Sequence, residues 1–402
     1  MTLSAGANSG RSWARLDGVD LLRGLAIYFV LMNHVNMRLL GAKVPYLRGL
    51  PPQLVYSLVW NGQAGVQIFF AVSGFLITST TLRRWGSLAR VNVREFYQLR
   101  FARIAPLMVL LLVILSGLHL AHVRDFIVSE RTGGLGRALF AAVTFHINLL
   151  EARRGYLPGN WDILWSLSVE EMFYLFFPMV CRMFRRGKSL LVLLMIFVVL
   201  GPFARSHAFN HNAVWREYSY LGGMDAIALG CLTALLLTRH RLSRPLLRAA
   251  LILGTMLLAF CLGCSTAAYR WGLGRNGLYM TILAVGTCLV IAAVAQSRWQ
   301  APGVFRPVLM LGQRSYEVYL THMFVVYGLF HFFVRANKPM RMIPALFVAV
   351  ILVSGLLGGL VAQGYSEPMN HWLRKRWGDG PKKLGAVVDG KPDLAGLPDP
   401  NA

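Results

Sequence analysis

Two polar residues define the chemistry open to this chain. Arg23 and His34 interrupt the apolar run Leu21–Val35, LLRGLAIYFVLMNHV. Their separation of eleven positions brings them within roughly 20° of one helix face, about 16 Å apart along the axis. Guanidinium binds anions, and neutral imidazole takes up protons near neutral pH. Either group is costly inside a bilayer unless it faces a polar cavity or a partner. The plain alternative is interfacial: the two side chains reach opposite membrane surfaces, and Asp20, three residues before Arg23, pairs with it.

Further polar stripes cross apolar runs. In WDILWSLSVEEMFYLFFP, Ser166, Glu170 and Tyr174 fall at i, i+4 and i+8 on one face, while Glu171 points about 100° away, toward the headgroups. In LGQRSYEVYLTHMFVVYG, Tyr316, Tyr319 and His322 recur at i,i+3 steps, with Ser315 one heptad before His322. Hydrogen-bonded helix packing is the structural reading of both. Asp225 opens the run GGMDAIALG, where pairing with an arginine of another helix is expected, and Glu367-Pro368 closes the last run. Gly65, Ser73 and Gly74 lie among bulky residues and allow a second backbone to approach.

These residues need membrane helices to position them. The 402 residues are 56% hydrophobic and 14% charged, with a mean hydropathy of +0.52, which excludes an ordinary soluble domain. The predicted fold is an all-α polytopic membrane protein. Runs of spanning length occur at about 19–37, 64–81, 104–121, 163–181, 189–204, 219–237, 249–266, 277–295, 307–334 and 342–363. The run 138–150 is too short to span and reads as re-entrant or interfacial.

With ten spans and the N-terminus inside, the inner segments hold 25 basic residues against 15 outside, so both termini are predicted to be cytoplasmic. The net charge of +24 sits in loops between spans, where it sets topology and meets anionic lipid or an anionic cytosolic ligand, and argues against nucleic acid. The five cysteines fall in or beside apolar runs without metal-ligand spacing, so no metal site is expected. Residues 1–16 are expected to be disordered, 17–372 to form the membrane domain, and 373–402 a basic then disordered tail. The first run is too long and too polar for a cleaved leader. Region 122–162 is the longest outside the spans. Its charges, among them Asp125, Glu130, Glu151 and Arg154, are expected to be solvated, and the loop to shape a site for an acceptor.

Arg23-x10-His34 followed by GVQIFFAVSGFLI at 65–77 resembles the membrane-integral acyltransferase-3 family. The resemblance extends over about residues 17–372, through Arg100-x-x-Arg103-Ile-x-Pro106, WSLSxE-x-x-FY, LGQxSYxxYLxH and the Glu367-Pro368 exit. Two departures are visible. The family usually has Asp where Gln67 stands, and its Asp in the position of Asp225 often follows Arg, here Met224. Arg314 and Glu317 are additions without an assigned role.

The resemblance implies transfer of an acyl group, most often acetyl, from cytosolic acyl-CoA to a hydroxyl of a cell-surface or secreted glycan, free or lipid-linked, at the bacterial inner membrane. It implies no tightly bound cofactor. The 82–103 segment carries six arginines and one acid, Glu95. The resemblance assigns Arg100 and Arg103, with Arg23, to the coenzyme A phosphates, for which paired guanidinium hydrogen bonds are suited. His34 is then the general base or a transient acyl acceptor, and Glu170 orients its imidazole if the two helices adjoin. Ser73, Tyr174, Asp225, Tyr316, His322 and Glu367 complete the polar set. The alternative is a secondary transporter or flippase in which His34 and Glu170 relay protons. No internal repeat supports it, and the arginine-dense segment suits a phosphorylated ligand better.

Overall fold

The computed structural model describes residues 16–184, 187–297 and 299–378. The tails expected to be disordered lie almost wholly outside these. Among the described residues, ten helical segments are long and apolar enough to cross a membrane. The principal helices are α1 (Asp17–Gly41), α2 (Gly62–Trp85), α3 (Val93–Leu120), α4 (Leu164–Met183) and α5 (Gly187–Arg205). They continue as α6 (Tyr220–Arg239), α7 (Arg244–Gly263), α8 (Leu278–Ser297), α9 (Ser315–Arg335) and α10 (Ile343–Val361). The chain is a multi-pass membrane protein.

Burial separates central helices from peripheral ones. The most apolar windows of α1 and α2 are each 67% buried, against 22% for α7, so α1 and α2 form the centre and α7 an outer wall. Exposed Val109, Val113, Val192, Met256, Leu352 and Leu356 face outward from the peripheral helices, where only lipid leaves them without cost. At the centre, α2 and α6 cross through reciprocal glycines. A Cβ on Gly74 would strike the Ile227 carbonyl, and one on Gly230 would strike the carbonyl of Ala71. Of the small residues read from the sequence, Gly65, set against the Ala26 carbonyl, and Gly74 therefore serve close backbone approach.

Three boundaries differ from the hydropathy reading. The third helix begins at Val93, because Asn92 caps it by accepting the Glu95 N–H at 3.1 Å. Arg100 and Arg103 thus stand on a helix and share a face, not a loop. The run 307–334 breaks at Arg314 into a short helix Arg306–Gln313 and α9. The short helix lies against α1, with Gly312 at the Asp20 carbonyl. After α10 the chain passes through a π-helical stretch Ala362–Ser366 into Glu367–Arg376. The run 138–150 divides between the short helices Gly134–Val143 and Ile147–Arg154, and neither reaches spanning length.

Candidate active site

Polar groups from five helices meet in one cavity of about 180 Å3. α1 supplies Arg23, α2 Ser73, α3 Arg100 and Arg103, α4 Glu170, Glu171 and Tyr174, and α9 Ser315, Tyr316 and Tyr319. The Tyr174 hydroxyl donates to Glu170 Oε2 at 3.3 Å and stands 2.5 Å from Ser73 Oγ. A hydroxyl has one proton, so Ser73 donates to Tyr174 in this arrangement. The Arg100 guanidinium lies 4.5 Å over the Tyr174 ring. Tyr316 donates to the Ile104 carbonyl at 2.7 Å, and Tyr319 lies 2.7 Å from Ser166 Oγ. Glu171 lines the same cavity, contrary to the expectation that it faces headgroups, because the cavity wraps around more of α4 than one stripe.

Two of the three arginines expected to hold phosphate already meet carboxylates. Arg103 pairs with Glu317 at 2.9 Å, and Arg23 with Asp20 at 3.4 Å. Glu317, without a role in the sequence reading, is the 1% exposed counter-charge of Arg103.

His34 belongs to a different cluster. Its ring meets that of His322 edge to face, with centroids 4.9 Å apart. His34 Nδ1 lies 2.8 Å from the Val30 carbonyl and His322 Nδ1 2.6 Å from that of Tyr319. A carbonyl only accepts, so each Nδ1 carries a proton, and in the neutral ring each Nε2 keeps its lone pair. Nε2 of the fully buried His322 has no hydrogen-bond partner. One turn beyond His34, Arg38 pairs with Asp125 at 2.9 Å and lies 3.8 Å over the Tyr327 ring, whose hydroxyl accepts the Gly159 N–H at 3.1 Å. These contacts fasten the long loop and the start of α4 over the histidine end of the bundle.

The expected orientation of His34 by Glu170 is therefore corrected. Glu170 faces Arg23, Arg100, Ser73 and Tyr174. Arg23 and His34 are eleven residues apart on α1, about 16 Å of helix, so a carboxylate level with the first does not reach the second. A proton relay through direct His34–Glu170 contact is absent among the described residues for the same reason.

Asp225 sits in a buried network. Arg205 of α5 donates to Asp225 Oδ2 at 2.6 Å and to Oδ1 at 3.0 Å, while Thr281 and Gln67 donate at 2.6 and 2.9 Å. The expected pairing with an arginine of another helix is present. Gln67 supplies a neutral donor where an aspartate would set a second carboxylate against one arginine. Glu367 is exposed at the start of the last helix and joins neither cluster. Among the described residues no group of His, Cys, Asp or Glu has the makings of a metal site, and Cys181, Cys231, Cys261, Cys264 and Cys288 are free thiols.

The sequence reading also missed a buried acid. Glu151 is fully buried, its Oε1 accepting the Leu157 N–H at 3.0 Å. Burial, and then the Asp162 carboxylate nearby, push the Glu151 carboxyl well above the usual range. Tyr218 donates to Asp162 at 3.1 Å and stacks on Trp165 with ring centroids 4.1 Å apart. The only sequence signal was the apolar context of Ile147–Leu150 beside it.

Among the described residues, ten helices of spanning length enclose the Glu170 cavity, the histidine pair and the Asp225 network, which together describe a membrane protein with polar groups held inside the bilayer. The chain matches the family model for the acyltransferase-3 domain over residues 16–360 and belongs to that family. It is similar to O-acetyltransferase OatA of Staphylococcus aureus, 22% identical over 386 residues, covering 92% of this chain and 60% of that protein. Peptidoglycan O-acetyltransferase OatA of Listeria monocytogenes is 27% identical over 333 residues, 76% of this chain and 49% of the relative. The chain thus spans about half to three-fifths of the length of these relatives. No solved structure matches it.

Proposed function

We infer that the chain is a bacterial plasma-membrane O-acyltransferase. It moves an acyl group, acetyl foremost, from cytosolic acyl-CoA to a hydroxyl of a cell-envelope glycan, with peptidoglycan the first acceptor to test. The excess of basic residues in the inner segments supports cytosolic termini, an orientation in which the Arg23 end of α1 faces the donor and the His34 end the acceptor. The carrying observation is the His34 imidazole, whose Nδ1 is committed to the Val30 carbonyl, leaving Nε2 as the basic atom in a site shared with His322.

Two routes use that atom. In one, Nε2 takes the acceptor hydroxyl proton as the oxygen attacks the thioester carbonyl, the C–S bond breaks and the coenzyme A thiolate leaves. In the other, Nε2 attacks first, the C–S bond breaks and the thiolate leaves; the acceptor oxygen then attacks the acyl-imidazolium, the acyl–Nε2 bond breaks, and the hydroxyl proton passes to the freed Nε2. The second suits a donor and an acceptor that approach from opposite membrane faces.

The test supplies the purified full chain in lipid nanodiscs with radiolabelled acetyl-CoA and muramic-acid-containing oligosaccharides. Label on the glycan, lost in His34→Ala, supports the reading. Absence of both thiol release and glycan label from the native chain overturns it. Label retained on the native protein after a rapid quench selects the acyl-imidazole route.

A further inference from the structure

A second, larger cavity of about 760 Å3 lies at the Arg23 end of the bundle, between the start of α1 and the ends of α2, α6 and α8. Arg23 and Leu76 line both this cavity and the one holding Glu170, so the two adjoin. Its rim carries Arg239, His240 and Arg241, with Arg83 on the α2 wall. Neither Arg239 nor Arg241 meets a carboxylate among the described residues, and both are exposed. The turn that bears them is fixed by one side chain: Gln296 donates to the His240 carbonyl at 2.8 Å and accepts the Leu242 N–H at 2.9 Å. Phe75, Leu76 and Leu237 supply an apolar wall.

We propose that this cavity holds the 3′-phosphoadenosine head of the acyl-CoA donor, its phosphates on Arg239 and Arg241 and its thioester arm directed past Arg23 toward Glu170. This rests on the acyl-CoA reading above and relocates the phosphates from the arginines the sequence suggested. Arg103 and Arg23 are neutralised by Glu317 and Asp20. The rim arginines keep their charge for a ligand, and their planar forks suit a phosphate monoester. The small inner cavity accommodates a narrow thioester arm, and the wide outer one a nucleotide. An anionic lipid headgroup offers the same phosphate chemistry, so the test separates the two.

The full chain in nanodiscs of zwitterionic lipid is titrated with adenosine 3′,5′-bisphosphate by calorimetry, and turnover of acetyl-CoA is compared with that of its 3′-dephospho analogue. The native chain binds the bisphosphate and prefers acetyl-CoA by about tenfold, the value of one charge-assisted contact. Arg239→Gln/Arg241→Gln loses both the binding and the preference, with unchanged thermal melting. Binding of the bisphosphate that the double variant retains overturns the site. So does failure of the native chain to bind the bisphosphate, or native binding that anionic lipid in the disc displaces, which assigns the rim to a lipid headgroup. Bisphosphate binding lost in the variant, in a native chain that turns over no thioester, keeps the site and overturns the transfer reading alone.

Discussion

The His34 and His322 rings meet edge to face at 4.9 Å while each Nδ1 is held by a carbonyl of its own helix. In its neutral form each imidazole therefore presents an unprotonated Nε2 at this end of the bundle. His34→Ala is expected to lower acyl transfer by about 10²–10⁴-fold, the usual contribution of a general base, with the melting temperature nearly unchanged. His322→Phe keeps a ring against His34 and is expected to lose less. Coenzyme A release and thermal melting of the same preparations check both.

Gln67→Asp is expected to destabilise the protein. The new carboxylate faces Asp225, and the single guanidinium of Arg205 is already held by Asp225 at both oxygens. An uncompensated buried charge of this kind costs about 1–3 kcal/mol. Protonating the new acid removes its charge and with it the repulsion from Asp225. Denaturant melts of variant and native chain therefore converge as the pH falls.

Arg103→Ala strands Glu317, whose side chain is 1% exposed, whereas Arg100 forms no ion pair among the described residues. Loss of one partner of a fully buried pair costs ~3–5 kcal/mol, and the 33% exposure of Arg103 lowers this to roughly 1–3 kcal/mol. Arg103→Ala is thus expected to melt earlier than Arg100→Ala. Arg103→Met/Glu317→Leu is expected to recover the stability without the charges.

Glu151 gives a pH signature. Its folded pKa is raised above the unfolded value, so its contribution is fully present below the unfolded pKa and is lost as pH rises through the folded one. Glu151→Gln removes that ionisation. The native chain is expected to lose stability relative to Glu151→Gln on going from acidic to alkaline buffer, as read by melting temperature across a pH series.

The number of spans was legible because a helix must stay apolar for the full thickness of the hydrocarbon, and that length stands in the sequence. Helical spacing also showed which face Ser166, Glu170 and Tyr174 share. It did not show what each face meets. Glu317 finds Arg103 across 214 residues, and Gln67 finds Asp225 across 158, through packing of helices that no local pattern encodes. The assignment of Glu170 to His34 failed on the missing axial coordinate. Two polar residues on different helices interact only at the same depth, and periodicity gives azimuth alone. The break at Arg314 escaped notice because the apolar composition continues across it.

The Gln296 clamp consists of uncharged hydrogen bonds, whereas the arginines it carries act through charge. Ionic strength separates the two. Salt at the molar scale shrinks the Debye length to about 3 Å and weakens the hold of an exposed guanidinium on phosphate, yet leaves the turn in place. A concentrated electrolyte therefore empties this rim without dismantling it, and dilution restores a receptor that never unfolded.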